Sequence, residues 1–315
     1  MSDERHFDGK RFFNPNGANG RGFRDVPRML TVARSRWPRD VPITPRRPPP
    51  LERADDIIVT FVGHATFLIQ TGAGNLLTDP FFSRRASPVP FAGPRRSRAP
   101  GVRIEDLPPI ATILLSHNHY DHCDLAALRA LARRFDPLLV TPLGNARFGR
   151  AAGMRRVEEL DWWQQLDTGA MRVVATPAQH FSARHPFDRN EALWAGFRIE
   201  VAGRRLYFAG DSGYGPHFKE IGARLGPPDL ALLPIGAYEP RWFMKDIHMN
   251  PEEAVAAHLD VGSRLSVAMH HATIQLTPEP IDAPAQALAV ALAARGIGED
   301  RFRIVAIGDS VTLPG

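Results

Sequence analysis

The chain is nearly devoid of cysteine. Its one thiol, Cys123, excludes an intramolecular disulfide and any zinc knuckle built from paired cysteines. It also lacks an apolar run approaching the ~20 residues needed to span a bilayer. The longest such stretch, Ala283 to Ala294, is bounded by Asp282 and by Arg295-Gly296, as a capped soluble helix would be. The opening residues, MSDERHFDGKRFF, have no apolar core of a signal peptide. Gly17, Gly20 and Gly22 have no strand before them, so there is no glycine fingerprint for a nucleotide. Together these absences predict a cytoplasmic protein whose contact with a membrane, if any, is peripheral.

What is present is ordinary globular material: 315 residues, 43% hydrophobic and 23% charged, enough for one large domain or two small ones. The net charge of +5 is unevenly placed. Residues 1–53 hold 12 Lys and Arg against 6 Asp and Glu, a balance of +6, which leaves −1 for the rest. Pro and Gly concentrate in residues 14–50 and 83–109, and the second segment carries six arginines. A loop of that length inside a compact domain is usually functional. The reading is a basic arm, 1–56, extended on the surface or partly disordered, followed by one domain, 57–315. Such an arm suits a polyanionic neighbour.

From Ile57 onward the pattern is regular. Short β-branched or apolar runs at 57–62, 65–70, 75–78, 111–115, 138–141, 172–176, 196–201, 205–209, 230–235, 265–269 and 302–307 predict strands. Helices are predicted over 125–135, 214–225 and 283–294, and one from Asn250-Pro251-Glu252-Glu253 to Gly262. This order implies an α/β protein with a two-sheet core and helices outside. Gly210-Asp211-Ser212 and Gly308-Asp309-Ser310 each close an apolar strand, too short an echo to define a repeat.

The chemistry concentrates in Ser116-His117-Asn118-His119-Tyr120-Asp121-His122, where a buried strand ends. His117 and His119 alternate, so extended backbone projects their rings to one side, and Asp121 and His122 follow where the chain turns. Three imidazoles and a carboxylate so close need partners if buried, and metal ions supply them. Imidazole and carboxylate without thiolate favour two zinc ions, with iron or manganese as alternatives.

This stretch resembles the HxHxDH motif of the metallo-β-lactamase superfamily, whose fold is an αββα sandwich of two mixed sheets. The resemblance implies further ligands in order: His180 completing the site of His117 and His119, Asp211 bridging, and a last histidine, His270 or His271, completing the site of Asp121 and His122. The family's final ligand is followed by Trp, Gly and Thr, which aligns His270 with the ligand and puts His271 where the Trp stands. Asp79, in Leu77-Thr78-Asp79-Pro80, matches an upstream Asp that supports the ligand loop. From about Val59 onward the chain further resembles N-acyl-phosphatidylethanolamine-hydrolysing phospholipase D enzymes and their bacterial relatives. Gly63-His64-Ala65-Thr66, Glu159-Leu160-Asp161-Trp162-Trp163 and above all Pro234-Ile-Gly-Ala-Tyr-Glu-Pro-Arg-Trp-Phe-Met-Lys245 carry that likeness.

The likeness implies a phosphodiesterase of the phospholipase D type, in which hydroxide held between the metals attacks phosphorus. In that reading Asp121 orients the nucleophile or carries a proton, Asp211 fixes the metal spacing, and His248 is a substrate or supporting residue. His64 hydrogen-bonds near the site, and Arg241 is a candidate phosphate contact. Trp242 and Phe243, and with them Trp162 and Trp163, either line an acyl channel or simply pack. Cys123 is read as a small packed residue, His258 as a partly buried surface histidine, Asp309 as structural or supporting, and His185 is given no role. A lactonase acting on a soluble sugar phosphate and a non-hydrolytic di-iron protein are the alternatives. The expected partners are a phospholipid or other phosphodiester and an anionic membrane surface, with a homodimer available by family analogy. No nucleic acid is expected, because nothing pairs basic residues with base-stacking aromatics near the metal loop.

Overall fold

The computed structural model describes residues 6–22 and 25–315. Arg5 and Arg24 of the basic arm lie outside the described residues. Among the described residues, fourteen strands form two seven-stranded sheets. In the first lie β1 (Ile57–Gly63), β2 (Thr66–Gln70), β3 (Asn75–Thr78), β4 (Ile110–Leu114), β5 (Leu138–Pro142) and β6 (Arg156–Leu160) in chain order, with β14 (Ser310–Leu313) outside β1. In the second, β7 (Gln165–Asp167), β8 (Met171–Thr176), β9 (Gly196–Val201), β10 (Arg204–Phe208), β11 (Leu230–Pro234), β12 (Leu265–Met269) and β13 (Phe302–Arg303) are also adjacent in order. Each sheet begins as an antiparallel meander and turns parallel, from β3 to β6 and from β10 to β13.

Period-two alternation sorts the side chains of the first sheet. Phe67, Ile69, Leu76, Leu114 and Val140 face the second sheet and join its Val173, Phe197, Ile199, Leu206 and Phe208 in one core. Leu68, Leu77, Ile113 and Leu139 point the other way, to meet Leu128 and Leu131 of a helix at Leu125–Phe135. Asp124 caps that helix by accepting from the Ala126 and Ala127 amides. On the far side, helices at His217–Leu225, Pro251–Asp260 and Ala283–Ala294 pack together over β11. This is the expected αββα sandwich. No helix among the described residues is long and apolar enough to cross a membrane.

Two expectations change. The run 302–307 gives only a two-residue strand, and the chain then crosses to the first sheet, where Ser310–Leu313 pairs with β1. The helix expected from Tyr214 starts at His217, because Gly215-Pro216 breaks the backbone before it and Tyr214 turns to donate its hydroxyl to Asp260 at 2.6 Å. The arm is tied down along much of its length. Phe12 is buried, Asn14 Nδ2 donates to the His180 carbonyl at 2.9 Å, and Trp37 Nε1 donates to the Glu279 carbonyl at 2.7 Å.

Candidate metal centre

Every histidine and aspartate of the cluster stands just beyond a strand end on one rim of the sandwich. His64 follows β1, Asp79 follows β3, His117 to His122 follow β4, Asp211 follows β10 and His270 follows β12, with His180 four residues beyond β8. The backbone bends sharply there. His64, Asp79 and His270 have φ of 60°, 30° and 58°, a region that side chains other than glycine enter at a cost. Strain of this kind gathers at functional sites. Here it is held by cross-links, since the His270 amide donates to the His64 carbonyl at 2.8 Å and the Asp79 amide to Leu114 at 2.9 Å.

Two nests of donor atoms result. In the first, His117 Nε2 and His119 Nδ1 are 2.8 Å apart and His180 Nε2 lies 3.3 Å from the latter. In the second, His122 Nε2 and His270 Nε2 each lie 3.4 Å from Asp121 Oδ2. Asp211 Oδ2 sits between the nests. It is 3.1 Å from His122 Nε2 and from His270 Nε2, 3.8 Å from His180 Nε2 and 4.0 Å from His117 Nε2. Ligands at ~2.0–2.1 Å around a tetrahedral ion stand roughly 3.3 Å from one another. The spacings cluster around that edge length, and His122 Nε2, His270 Nε2 and Asp211 Oδ1 are buried without a hydrogen-bond partner. The buried His/Asp clusters therefore fit a binuclear metal site.

Neighbouring groups aim these donors. Asp79 accepts from the Ser116 amide at 2.7 Å and the Ser116 hydroxyl at 2.5 Å, and its Oδ2 is 2.6 Å from His122 Nδ1. The Ser116 hydroxyl donates its hydrogen bond to Asp79, so its oxygen accepts from His117 Nδ1 at 2.9 Å. His180 Nδ1 donates to the Ile247 carbonyl at 2.9 Å. Each of the three rings thus has its outer nitrogen protonated and its inner lone pair free for a cation. Burial, reinforced by neighbouring imidazoles, pushes His117 well below the usual histidine value, and burial takes His119 to about 3 and His180 to about 4. His122 goes the other way. Burial opposes its charge, but Asp211, Asp121 and Asp79 outweigh it, and His270 rises to about 9 against burial through Asp211 and Asp121.

His64 Nε2 meets Asp121 Oδ2 at 2.9 Å, and burial keeps its ring neutral with a value near 3. His248 is drawn in too, its Nε2 at 4.0 Å from Asp211 Oδ2 and its ring 5.0 Å from that of His180. Others go elsewhere. His271 stacks on Phe61 of β1, so His270 is the histidine that faces the aspartates. Arg241 pairs with Glu253 at 2.7 Å and donates to the His248 carbonyl at 2.9 Å, so its charge is neutralised and it braces the His248 loop. Trp242 lies under the Arg28 guanidinium, and Trp162 packs in the core with its Nε1 on the Trp194 carbonyl. Phe243 joins Phe181, Met244, Ile247 and Leu276 in an apolar cluster, with Phe181 edge-on to His119. His258 is fully buried rather than at the surface, because Ser266 on β12 offers its ring a partner at 2.8 Å. Asp309 is part-exposed and paired with Arg46, so the Gly-Asp-Ser echo marks two turns and only one cluster residue. Cys123 is buried in the outer core, where burial pushes its thiol up to about 12.

Ser116 and Ser212 were not singled out from the sequence, although each adjoins a residue that was. Ser212 accepts from the Gln179 amide at 2.9 Å, donates to the Gly213 carbonyl at 2.7 Å and meets His217 Nε2 at 3.0 Å, linking the turns that carry Asp211 and His180. Burial lowers His217 to about 3. Its folded-state value is below the unfolded one, so the unfolded chain binds the extra proton, and this stability is lost as pH falls from about 6.5 toward 3. His217→Gln should flatten the acid limb of urea-unfolding stability against pH. Parallel limbs for variant and wild type would contradict the assignment.

A model of the β-lactamase superfamily domain matches residues 74–271. An uncharacterised protein of Mycobacterium tuberculosis is 41% identical over 267 residues, covering 82% of this chain and 71% of that one. The N-acyl-phosphatidylethanolamine-hydrolysing phospholipase D 1 of Caenorhabditis elegans is 40% identical over 229 residues, 69% of this chain and 64% of that protein, so the chain spans less than two thirds of its length. Among solved structures, an isothiocyanate hydrolase from gut bacteria of Delia radicum superposes with a TM-score of 0.66 at 22% identity, covering 82% of this chain and 99% of that one. With the two-sheet sandwich, the His/Asp nests at its rim and these matches together, the chain belongs to the metallo-β-lactamase superfamily.

Proposed function

We propose that the protein is a metal-dependent hydrolase of phosphodiesters, of the phospholipase D type, acting on N-acyl-phosphatidylethanolamine-like lipids. The observation that carries this reading is Asp211 Oδ2, placed between two nests of donors with histidine nitrogens on both sides. His117, His119 and His180 would hold one cation, Asp121, His122 and His270 the other, and Asp211 would touch both. Zinc suits this donor set best, with iron or manganese as alternatives. Two divalent cations would supply Lewis acidity toward a phosphodiester anion and make water a nucleophile at neutral pH.

The chain's own residues do the rest. Asp211 sets the separation of the two nests. Asp121 carries one oxygen on His64 and is the carboxylate placed to receive a proton and pass it to the leaving alcohol. His64, held neutral, fixes the orientation of that carboxylate. His248, with its loop braced by Arg241 and Glu253, lines the same space from the other side. The apolar cluster of Phe181, Phe243, Met244 and Ile247 beside His119 suits an acyl chain better than a soluble sugar. The 40% identity to the nematode enzyme supports the same substrate class.

The test is metal analysis with a substrate screen of N-acyl-phosphatidylethanolamine, phosphatidylcholine, bis-p-nitrophenyl phosphate and sugar lactones. Chelator-sensitive release of phosphatidic acid from the first is expected. Turnover of lactones alone would move the protein to the lactonase class. An iron-loaded protein inert on all four would make it a non-hydrolytic di-iron protein.

A further inference from the structure

Away from the metal centre, four arginines gather where the arm crosses the arginine-rich loop. There a cavity of about 390 Å³ is lined by Trp37 and Arg39 from the arm and by Arg85, Arg95 and Arg96 from the loop. Like charges gathered in one hollow repel, and no carboxylate lines it. The nearest are Asp40, which pairs with Arg95 at 2.5 Å from a largely exposed position, and Asp124, whose oxygens are taken by four backbone amides. Arg96 is 5% exposed, lies over the Phe81 ring and donates Nη2 to the Phe81 carbonyl at 2.6 Å, while Arg39 and Arg85 have no carboxylate partner among the described residues. Burial lowers Arg96 only to about 9, so it stays charged at neutral pH. Guanidinium charge left without a carboxylate in a shared hollow is relieved when an anion binds there.

The hollow is built rather than incidental. The Val41 amide donates to Ser97 at 2.7 Å, the Arg96 amide to Arg84 at 2.9 Å, and the Ala86 amide to Pro94 at 3.0 Å. These bonds fix both walls. Guanidinium forks match the oxygens of a phosphate group better than any single point charge would. Just beyond the base of the loop, residues 86–94 contain no charge and carry Phe91, which is 78% exposed. An aromatic tip above an arginine collar has the form of an interfacial anchor.

We infer that the cavity between the arm and the 84–98 loop is an anion site for a phosphate group, either free phosphate or the headgroup of a phospholipid into whose surface Phe91 dips. The lining shares no residue with the metal centre, and the site does not depend on the hydrolase reading. Its test uses the full-length holoprotein and an Arg39→Ala/Arg85→Ala variant, which leaves the buried Arg96 in place. Phosphate is titrated at constant ionic strength while thermal unfolding is followed. Any response of the metal centre is common to both proteins and cancels. The apparent phosphate affinity should fall at least tenfold in the variant, with hydrolysis of bis-p-nitrophenyl phosphate unchanged. Equal affinity in the two proteins would overturn the inference. Phosphatidylcholine vesicles with and without phosphatidic acid then separate the two sources. If the ligand is a headgroup, Phe91→Ser weakens binding to the acidic vesicles and leaves the phosphate titration as it was. If neither variant changes vesicle binding, the ligand is soluble phosphate.

Discussion

Asp211→Asn is expected to retain fewer than two metal ions per chain and to lose about a thousandfold in kcat/KM. The amide keeps the shape of the side chain but presents one neutral oxygen where the carboxylate offers charge to both nests. The carboxylate's Oδ2 lies 3.1 Å from His122 and His270 and 3.8 Å from His180, so no neighbouring group can replace it. Loss of a cation that stabilises transition-state charge is worth several kcal/mol, and each 1.36 kcal/mol is about a factor of ten in rate. Metal content by inductively coupled plasma mass spectrometry and steady-state kinetics check both halves. A variant with full metal and full turnover would remove Asp211 from the centre of the reading.

The second large effect is expected at Asp79. It is fully buried and joins the Ser116 amide, the Ser116 hydroxyl and His122 Nδ1, at 2.7, 2.5 and 2.6 Å. Asp79→Asn removes the charge that holds His122 in its tautomer and turns an N–H toward groups that were donating to it. Metal affinity should fall about 10–100-fold, the usual effect of losing a residue that orients a metal-bound histidine. Breaking a buried charged pair should also cost about 3 kcal/mol of stability. Competition with a chromogenic chelator measures the first and urea unfolding the second. Because Asp79 does not itself join either nest of donors, kcat per bound metal pair should change far less than in Asp211→Asn. An equal loss per metal pair would mean that Asp79 takes part in the chemistry directly.

The basic arm takes on a different character once folded. Its charge suggested a tail reaching for a polyanion, and deleting it would seem the natural test. Yet Phe12, Asn14 and Trp37 are fixed to the body, and Asn14 contacts the backbone of His180. Removing residues 1–50 would disturb the core and the His180 turn along with any surface charge. Point changes at Arg39 and Arg85 are therefore the cleaner probe.

The strands of the inner core were legible because alternation and β-branching there leave few other folds. Arg156–Leu160 was not, since an edge strand reading Arg-Val-Glu-Glu-Leu shows water the same pattern a surface loop would. Ser310–Leu313 was missed for a related reason: its place is set by pairing with β1, some 250 residues away in sequence, and not by its own composition.

The sequence by itself determined which atoms could hold metal. His117, His119, Asp121 and His122 lie within six residues, and the side-chain chemistry of that run is independent of what surrounds it. Only the tertiary structure decided how those atoms meet the distant ones. Asp211 lies between two nests because β4, β8, β10 and β12 end on one rim, and His270 rather than His271 turns inward because of a left-handed residue after β12. Arg241, which by type could bind phosphate, is neutralised by Glu253 on the helix that follows it. Donor type is a local property of the chain, whereas distance and charge balance belong to the packed molecule.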